Sequence, residues 1–162
     1  MSPSDVHELR KKAEELIRGV STMTLSTALG DGPWAAPVYY ASRGFLFYFF
    51  SDPVSRHIRE ALESGRAAAA IFPEVSSWKD IRGVQMSGAL SAVRPGVEAL
   101  KAVSAYLQKF PFTREFFNPA QKIDLDAFAG RFKVRLYVLR PTLLYYMDNR
   151  IRFSFRESIP LP

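Results

Sequence analysis

The amino-terminal segment has the hydrophobic spacing of an amphipathic helix. Apolar residues recur there at every third or fourth position: Val6, Leu9, Ala13, Leu16, Ile17 and Val20. Residues at this spacing share one face of an α-helix, so the segment from Ser2 to Gly19 is predicted to be helical. Ser2 or Ser4 can cap the first turn, and Pro3 suits a position near it.

The pattern then changes to the two-residue alternation that is typical of β-strands. Ser21 to Leu29 alternates in this way, Gly30 to Gly32 supplies a turn, and Trp34 to Ala41 forms the returning strand. Arg43-Gly44 leads into a third strand, Phe45 to Phe50. Three strands joined by tight turns predict an antiparallel meander.

A second amphipathic helix is predicted directly after this aromatic strand. Asp52 can cap it, Pro53 suits its first position, and Gly65 ends it. Its apolar face consists of Val54, Ile58, Ala61 and Leu62. Arg56 lies outside this face, so we expect its side chain to point away from the core.

Further strands and one more helix follow. The predicted strands are Ala67 to Phe72, Ile81 to Val93, Phe132 to Leu139, Leu143 to Met147 and Ile151 to Phe155. The predicted helix is Pro95 to Phe110, with its apolar face at Val97, Leu100, Val103, Tyr106 and Leu107. Thr113 to Gly130 is expected to be irregular, and Arg140-Pro141 to separate two strands. Gly83 and Gly88 indicate a β-bulge or a close approach to the backbone. Six or seven antiparallel strands with helical connections predict a mainly β (α+β) barrel.

Composition bounds the possible functions. The 162 residues, 48% of them hydrophobic, suit one domain over residues 1–162. The absence of Cys excludes disulfides, a thiol nucleophile and Cys-ligated metals. His7 and His57, the only histidines, are too far apart in sequence for a multi-histidine metal motif. The sequence also lacks the glycine-rich dinucleotide and P-loop motifs and the G-x-S-x-G elbow of hydrolases.

The chain has no predicted link to a membrane. Its first residues are polar and charged, unlike a secretory signal. The run from Phe45 to Phe50 is far shorter than the roughly 20 residues of a membrane span. We therefore expect a soluble, cytoplasmic protein. The net charge of +6 comes from scattered basic residues, which indicates a solvated surface or local anion binding more than nucleic-acid binding.

The segment Phe45 to Arg59 carries the main candidate for chemistry. A strand ends at Ser51, and the next helix begins with Ser55, Arg56 and His57 close to its first turn. Backbone N–H groups at a helix start carry partial positive charge, and hydroxyls and a guanidinium add donors that suit a phosphate. The alternative is that the hydroxyl and carboxyl groups only cap the helix while the basic side chains lie in solvent.

A family resemblance rests on this segment. Y-F-F-S-D-P-V-S-R-H (Tyr48 to His57) is similar to the strand-to-helix motif of the pyridoxamine 5'-phosphate oxidase-like FMN-binding split barrels. Ser21 to Tyr40 resembles the first hairpin of that family. Arg66 to Pro73 and Trp78 to Leu90 resemble its fourth strand and its long strand. The similarity covers about residues 6 to 95 well and places the chain nearest an uncharacterised branch of small proteins.

The resemblance implies a six- to seven-stranded antiparallel split β-barrel with flanking helices, and a homodimer that holds FMN in a groove between its subunits. The positions implied to hold the phosphate are Ser51, Ser55, Arg56 and His57. The positions implied to line or support the flavin are Pro37, Val38, Tyr39, Phe49 and Phe50. Arg82 and Gln85 are implied to reach the polar edge of the ring. The implied function is an FMN-dependent oxidoreductase with an unidentified small-molecule substrate. Its catalytic residues are not identified.

Departures from the family motifs narrow this function. The oxidase's carboxyl-terminal R-L-H motif is absent, because this chain ends R-E-S-I-P-L-P, which argues against pyridoxal phosphate synthesis. His57 stands where the motif has Lys. Two alternatives stay open. One is a small basic barrel that stacks single-stranded nucleic acid on Phe45, Phe47 and Phe49. The other is a split barrel that binds haem or a deazaflavin, or no cofactor.

Overall fold

The computed structural model describes residues 3–30, 32–116, 130 and 133–161. Its helices are α1 (Pro3–Gly19), α2 (Arg56–Ser64) and α3 (Val97–Lys109), with short 3₁₀ helices at Trp78–Asp80 and Pro111–Phe116. Its strands are β1 (Thr22–Ala28), β2 (Pro33–Tyr39), β3 (Ala41–Arg43), β4 (Leu46–Ser51), β5 (Arg66–Ile71), β6 (Arg82–Ala92), β7 (Arg135–Asp148) and β8 (Arg156–Ser158). Ser2 and residues 117–129, which include most of the predicted irregular segment, lie outside the described residues.

The strands form one curled antiparallel sheet. Seven of them follow the order β2-β1-β5-β6-β7-β4-β3, and β8 pairs with β7. Strands β2 and β3 stand at opposite ends of this order, yet only Tyr40 separates them in the chain. The sheet therefore curls until its two ends meet, as a half-barrel does. This confirms the predicted fold class of a strand-rich α+β split barrel.

Strand β4 is buried on both of its faces, which explains its nearly continuous aromatic sequence. Phe47 and Phe49 point into the barrel and are fully buried in the main core. Tyr48 packs on the opposite face against Ala99 and Ala102 of α3, in a second core cluster. With Phe45 also only 5% exposed, the aromatic face needed for nucleic-acid stacking is inside the protein. That alternative is wrong for these residues.

The prediction that Arg140-Pro141 separates two strands is wrong, because β7 runs without a break from Arg135 to Asp148. The β6–β7 register shifts between Ser87 and Gly88, and Gly88 lies opposite Pro141. A Cβ atom at Gly88 would lie 2.1 Å from the carbonyl oxygen of Arg140. The bulge and the missing side chain thus accommodate the proline within the ladder, as the glycine suggested.

The predicted strand Ile151 to Phe155 is a turn, and β8 begins only at Arg156. Side-chain oxygens accept hydrogen bonds from backbone amides in and just before this turn. The Arg150 amide donates to Asp148 Oδ1, and the Ser154 amide donates to Asn149 Oδ1. Short polar side chains that bind nearby amides favour turns over strands.

The helices bury narrower faces than predicted. In α1 the expected residues Leu9, Ala13, Leu16 and Ile17 are all buried. In α2, Ile58 and Ala61 are buried, but Leu62 is 46% exposed and Val54 precedes the helix. In α3, Val97 and Leu100 are exposed, and Ala99, Ala102 and Val103 form the packed face. Small alanines allow α3 to lie close to the sheet, and a pattern of large apolar residues does not reveal them.

Candidate functional site

The candidate site is the β4–α2 junction, residues Ser51 to Ile58. Asp52 does not cap the helix as predicted; it closes a turn before it. Its carboxylate accepts from the Val54 amide (2.9 Å) and its carbonyl accepts from the Ser55 amide (3.1 Å). The helix therefore begins at Arg56, with Ser55 as its N-cap in extended conformation.

The start of α2 is open to a ligand. Ser55 makes no side-chain capping hydrogen bond, and the first amide to bond to its carbonyl is that of Arg59 (3.1 Å). The amides of Arg56, His57 and Ile58 come before this bond, and the first amides of an α-helix have no acceptor within it. These three N–H groups lie at the positive end of the helix dipole, which is a favourable place for an anion.

Three of the predicted phosphate-binding side chains meet at this helix start. His57 Nε2 lies 2.8 Å from Ser51 Oγ and 3.3 Å from Ser55 Oγ. Ser55 Oγ donates its proton to the Asp52 carbonyl (2.8 Å), so it can only accept from the imidazole. In the tautomer with a proton on Nε2, the imidazole donates to Ser51 Oγ as well; in the other tautomer, Ser51 Oγ donates to Nε2. In the first tautomer the Ser51 proton is left for a weak contact to Ser55 (3.4 Å) or for the acceptor of a ligand.

Burial controls the charge of His57. Burial lowers the pKa of this imidazole, and the nearby Glu60 carboxylate opposes the shift. His57 is therefore neutral at pH 7 in the protein alone. An anion beside Nε2 would favour the protonated form.

Arg56, the fourth predicted phosphate ligand, is turned away from the other three. Its Nε donates to Glu60 (2.6 Å), its Nη2 donates to the Gly32 carbonyl (3.1 Å), and its guanidinium lies over the Trp34 ring (4.8 Å). Hydrogen bonds from Thr27 and then from Arg56 lower the pKa of Glu60, which is only 8% exposed. The alternative in which Arg56 lies free in solvent is wrong, because the Glu60 carboxylate and the Gly32 carbonyl hold its partly exposed side chain against the β1–β2 hairpin.

Arg135 is a cation at the junction that sequence reasoning missed. It lies directly opposite Ser51 in the antiparallel β4–β7 ladder. Opposite residues project to the same face, with Cβ atoms about 4.5–5.5 Å apart. Arg135 is exposed, and its side chain makes no hydrogen bond or ion pair with a residue that the structure describes. Because 84 positions separate Ser51 from Arg135 in the chain, only the strand register reveals this pair.

The residues predicted to line the flavin divide between surface and core. Pro37 and Tyr39 are exposed on β2, an edge strand of the described sheet that tolerates the missing proline N–H. Val38 is buried in the main core and offers a ligand only its backbone. Phe49 has no exposed surface, so it can support the site only by packing in the core beneath the strand. Phe50 is half-buried, and its ring centroid lies 5.2 Å from that of Tyr106.

Arg82 and Gln85 do not come together. They lie three residues apart on β6 and therefore project to opposite faces of the sheet. Gln85 is exposed on the outer face, in one cross-strand row with Pro37, Thr24 and Ala70. Arg82 lies on the inner-facing side of β6, at the end of the barrel near α1. Only Gln85 shares a face with Pro37.

The described residues contain no group of three or more His, Cys, Asp or Glu side chains that could hold a metal ion. No helix in this part of the chain is long and apolar enough to cross a membrane.

The sequence of this chain is similar to those of known proteins. The family model for pyridoxamine 5'-phosphate oxidase matches residues 9–139. A UPF0306 protein of Cronobacter sakazakii is 33% identical over 107 residues, which are 64% of this chain and 73% of the relative. The UPF0306 protein YhbP of Escherichia coli is 27% identical over 95 residues, 57% of this chain and 64% of the relative.

Solved structures share the fold. A haem-binding protein of Mycobacterium smegmatis has a TM-score of 0.68 at 21% identity, covering 98% of this chain, which spans only 58% of that protein. A FAD-binding protein of Mesorhizobium loti has a TM-score of 0.61 at 15% identity, covering 83% of this chain and 90% of that one. Since the family model covers most of the sequence and the fold agrees, the chain belongs to the pyridoxamine 5'-phosphate oxidase-like split-barrel family.

Proposed function

We propose that the protein binds FMN and holds its phosphate at the β4–α2 junction. The observation that carries this proposal is the convergence of Ser51, Ser55 and His57 on the open start of α2. Hydroxyl, imidazole and amide donors at a helix start form a neutral site for one phosphate group. Single-phosphate size favours FMN over a dinucleotide, for which the chain has no glycine-rich motif.

Each residue at the junction has a distinct part in this proposal. The Ser51 hydroxyl donates to a phosphate oxygen. His57 Nε2–H gives up its contacts to the two serines and donates to the phosphate instead. Arg135 supplies the charge that Arg56 does not, because Arg56 is held by Glu60. Arg56 positions α2 against the β1–β2 hairpin, and so sets the direction of the open amides. Pro37, Tyr39 and Gln85 offer an exposed surface for the ring.

The second part of the proposal is a homodimer with FMN between its subunits. The outer sheet face carries mostly short side chains that stay partly or fully exposed in the single chain: Thr24, Ser26, Ala35, Pro37, Ala68, Ala70 and Ser87, with the longer Gln85 among them. Two grooves of about 650 and 290 Å³ lie along it. Large exposed rings such as Tyr39 (57% exposed) and Phe72 (63% exposed) occur on and beside the same face. A face of mostly short side chains with apolar groups around it suits close contact with a second copy.

The activity we propose is oxidation or reduction of a small molecule. FMN, when bound, supplies the hydride or electron chemistry, while the protein binds and orients it. The absent R-L-H motif leaves pyridoxal phosphate synthesis outside the proposal.

Haem is the second candidate, because the haem-binding protein of M. smegmatis has this fold. His57 is poorly suited as an axial ligand, since its Nε2 is half-buried and engaged with two serines. A deazaflavin with a phosphate tail would use the same junction as FMN.

The test is titration of the purified protein with FMN, riboflavin, FAD and haem, followed by flavin fluorescence or absorbance. We expect saturable FMN binding at about micromolar concentration or tighter, and weaker binding of riboflavin, which lacks the phosphate. Ser51→Ala should weaken FMN binding, whereas Ser104→Ala, on the exposed side of α3, should not. A protein that takes up haem but not FMN would overturn the proposal.

A further inference from the structure

A pocket lined by none of the junction residues opens among charged side chains at the end of the barrel near α1. It lies between the last turns of α1, the start of β6 and the turn after β7, and its volume is about 230 Å³. Its charged lining residues are Lys12, Glu15, Arg82 and Arg150. We propose that this pocket binds the carboxylate or phosphate group of a small anionic molecule.

Asp148 lies behind the pocket lining and holds the Arg150 side chain in one wall of the pocket. It is 1% exposed, and both of its oxygens are fully engaged. Oδ1 accepts from the Arg150 amide (3.0 Å) and Nε (2.9 Å), and Oδ2 accepts from Arg150 Nη2 (2.6 Å) and the Tyr146 hydroxyl (2.8 Å). Burial would raise the pKa of this carboxyl, but the hydrogen bonds from Arg150 and Tyr146 outweigh it and lower the pKa to about 2. Arg150 is thereby held rigidly in the pocket wall, with further N–H groups to spare.

Arg82 has no such partner. It lies directly opposite Asp148 in the β6–β7 ladder, where an ion pair would be expected. Arg150 and Tyr146 already occupy both oxygens of that carboxylate. The Arg82 side chain is half-buried and makes no hydrogen bond or ion pair with any residue in the described part of the chain. Its unpartnered donors reach solvent, so an oxyanion in the pocket can accept hydrogen bonds from them in place of water.

The surrounding charges favour an anion. Lys12 adds a third cation to the lining, and its nearest carboxylate is Glu8, at 3.8 Å on the exposed face of α1. Of the three lining cations, Arg150 pairs with the buried Asp148 and Lys12 pairs with Glu8, while the exposed Glu15 adds a negative charge to the lining. Arg82 is therefore the lining cation left without an ion pair to a described residue, and such a cation in a concave site attracts anions.

Size and lining limit the ligand. The volume is below the range of about 300–1,000 Å³ that holds drug-sized ligands. Leu16, Val20 and Pro73 give the pocket an apolar side next to the cations. The planar fork of an arginine matches the two oxygens of a carboxylate or a phosphate. A small organic acid or phosphate ester with a short apolar body fits this combination.

The experiment uses the full chain labelled with ¹⁵N, titrated with inorganic phosphate or with acetate against sodium chloride at equal ionic strength. We expect saturable shifts of the Gly19, Val20, Arg82 and Arg150 amides with phosphate, acetate or both. The arm that saturates identifies the phosphoryl or the carboxylate group as the ligand chemistry.

Variants test the assignment of residues. Arg82→Gln should weaken this binding at least tenfold, and Lys12→Gln, on the surface of α1, should weaken it in the same direction. Arg66→Gln, which removes the same charge from exposed β5, should leave it unchanged. Shifts no larger than those with chloride, shifts confined to residues 51–58, or equal binding by the Arg82→Gln and Arg66→Gln variants would each overturn the proposal. If Arg82→Gln fails to fold, unchanged binding by Lys12→Gln overturns it.

Discussion

Replacing Arg135 with Gln should weaken FMN binding without changing the binding of riboflavin. Arg135 and Ser51 are directly opposite in the β4–β7 ladder, so we expect the guanidinium to reach the proposed phosphate position from the neighbouring strand. A hydrogen bond to a charged group contributes about 1.5–3 kcal/mol. Arg135 is exposed, and solvent screens its charge, so we expect the low end of that range, which is about a tenfold loss of affinity.

The assay is a paired titration with FMN and riboflavin, followed by quenching of flavin fluorescence. Arg59→Gln is the matched control, because it removes the same charge from the exposed face of α2, one turn beyond the junction. Equal weakening by the two variants would show that only diffuse charge acts. Equal loss of FMN and riboflavin affinity would show that Arg135 does not contact the phosphate.

Three further predictions test the fold and the site. Gly88→Ala should lower the free energy of unfolding by about 4 kcal/mol or more in chemical denaturation, because the new Cβ would meet the Arg140 carbonyl oxygen at 2.1 Å. Gly19→Ala is the control: a Cβ there has nothing within 4 Å, so the free energy of unfolding should change by no more than about 0.5 kcal/mol. Arg56→Ala should lower the melting temperature in calorimetry, since it leaves buried Glu60 without its ion pair, whereas Arg59→Ala should not. FMN affinity should rise as pH falls toward the lowered pKa of His57, because the phosphate favours the imidazolium form. In the His57→Gln variant, the pH dependence of FMN affinity should reflect only the titration of the phosphate itself. An identical pH profile in the two proteins would contradict this role of His57.

Local sequence patterns were sufficient to predict most of the fold. Alternation predicted β1, the turn at Arg43-Gly44 followed by an apolar run predicted the aromatic β4, and the three-to-four spacing predicted the buried face of α1. Two failures occurred where distant strands decide the outcome: β2 lies at an edge of the sheet and not beside β4 as the predicted meander required, and Arg140-Pro141 lies within β7. Pro141 stays within β7 because Gly88 on β6 makes room for it, and no local rule contains that information.

The site was predictable only in part for the same reason. Ser51, Ser55 and His57 are close in sequence, so one turn of chain brings them together. Arg56 follows the same local motif, but Glu60 and the Gly32 carbonyl, which the motif does not include, determine its direction. Arg135 joins the junction only through strand pairing.

The central claim is that the open start of α2 receives the phosphate of FMN. The most direct measurement is a ¹H–¹⁵N spectrum of the labelled protein during titration with FMN. We expect the amides of Arg56, His57 and Ile58 to shift strongly, to saturation and in proportion to flavin binding, and riboflavin to leave them nearly unmoved. Saturable FMN binding with these three amides unchanged would contradict the central claim.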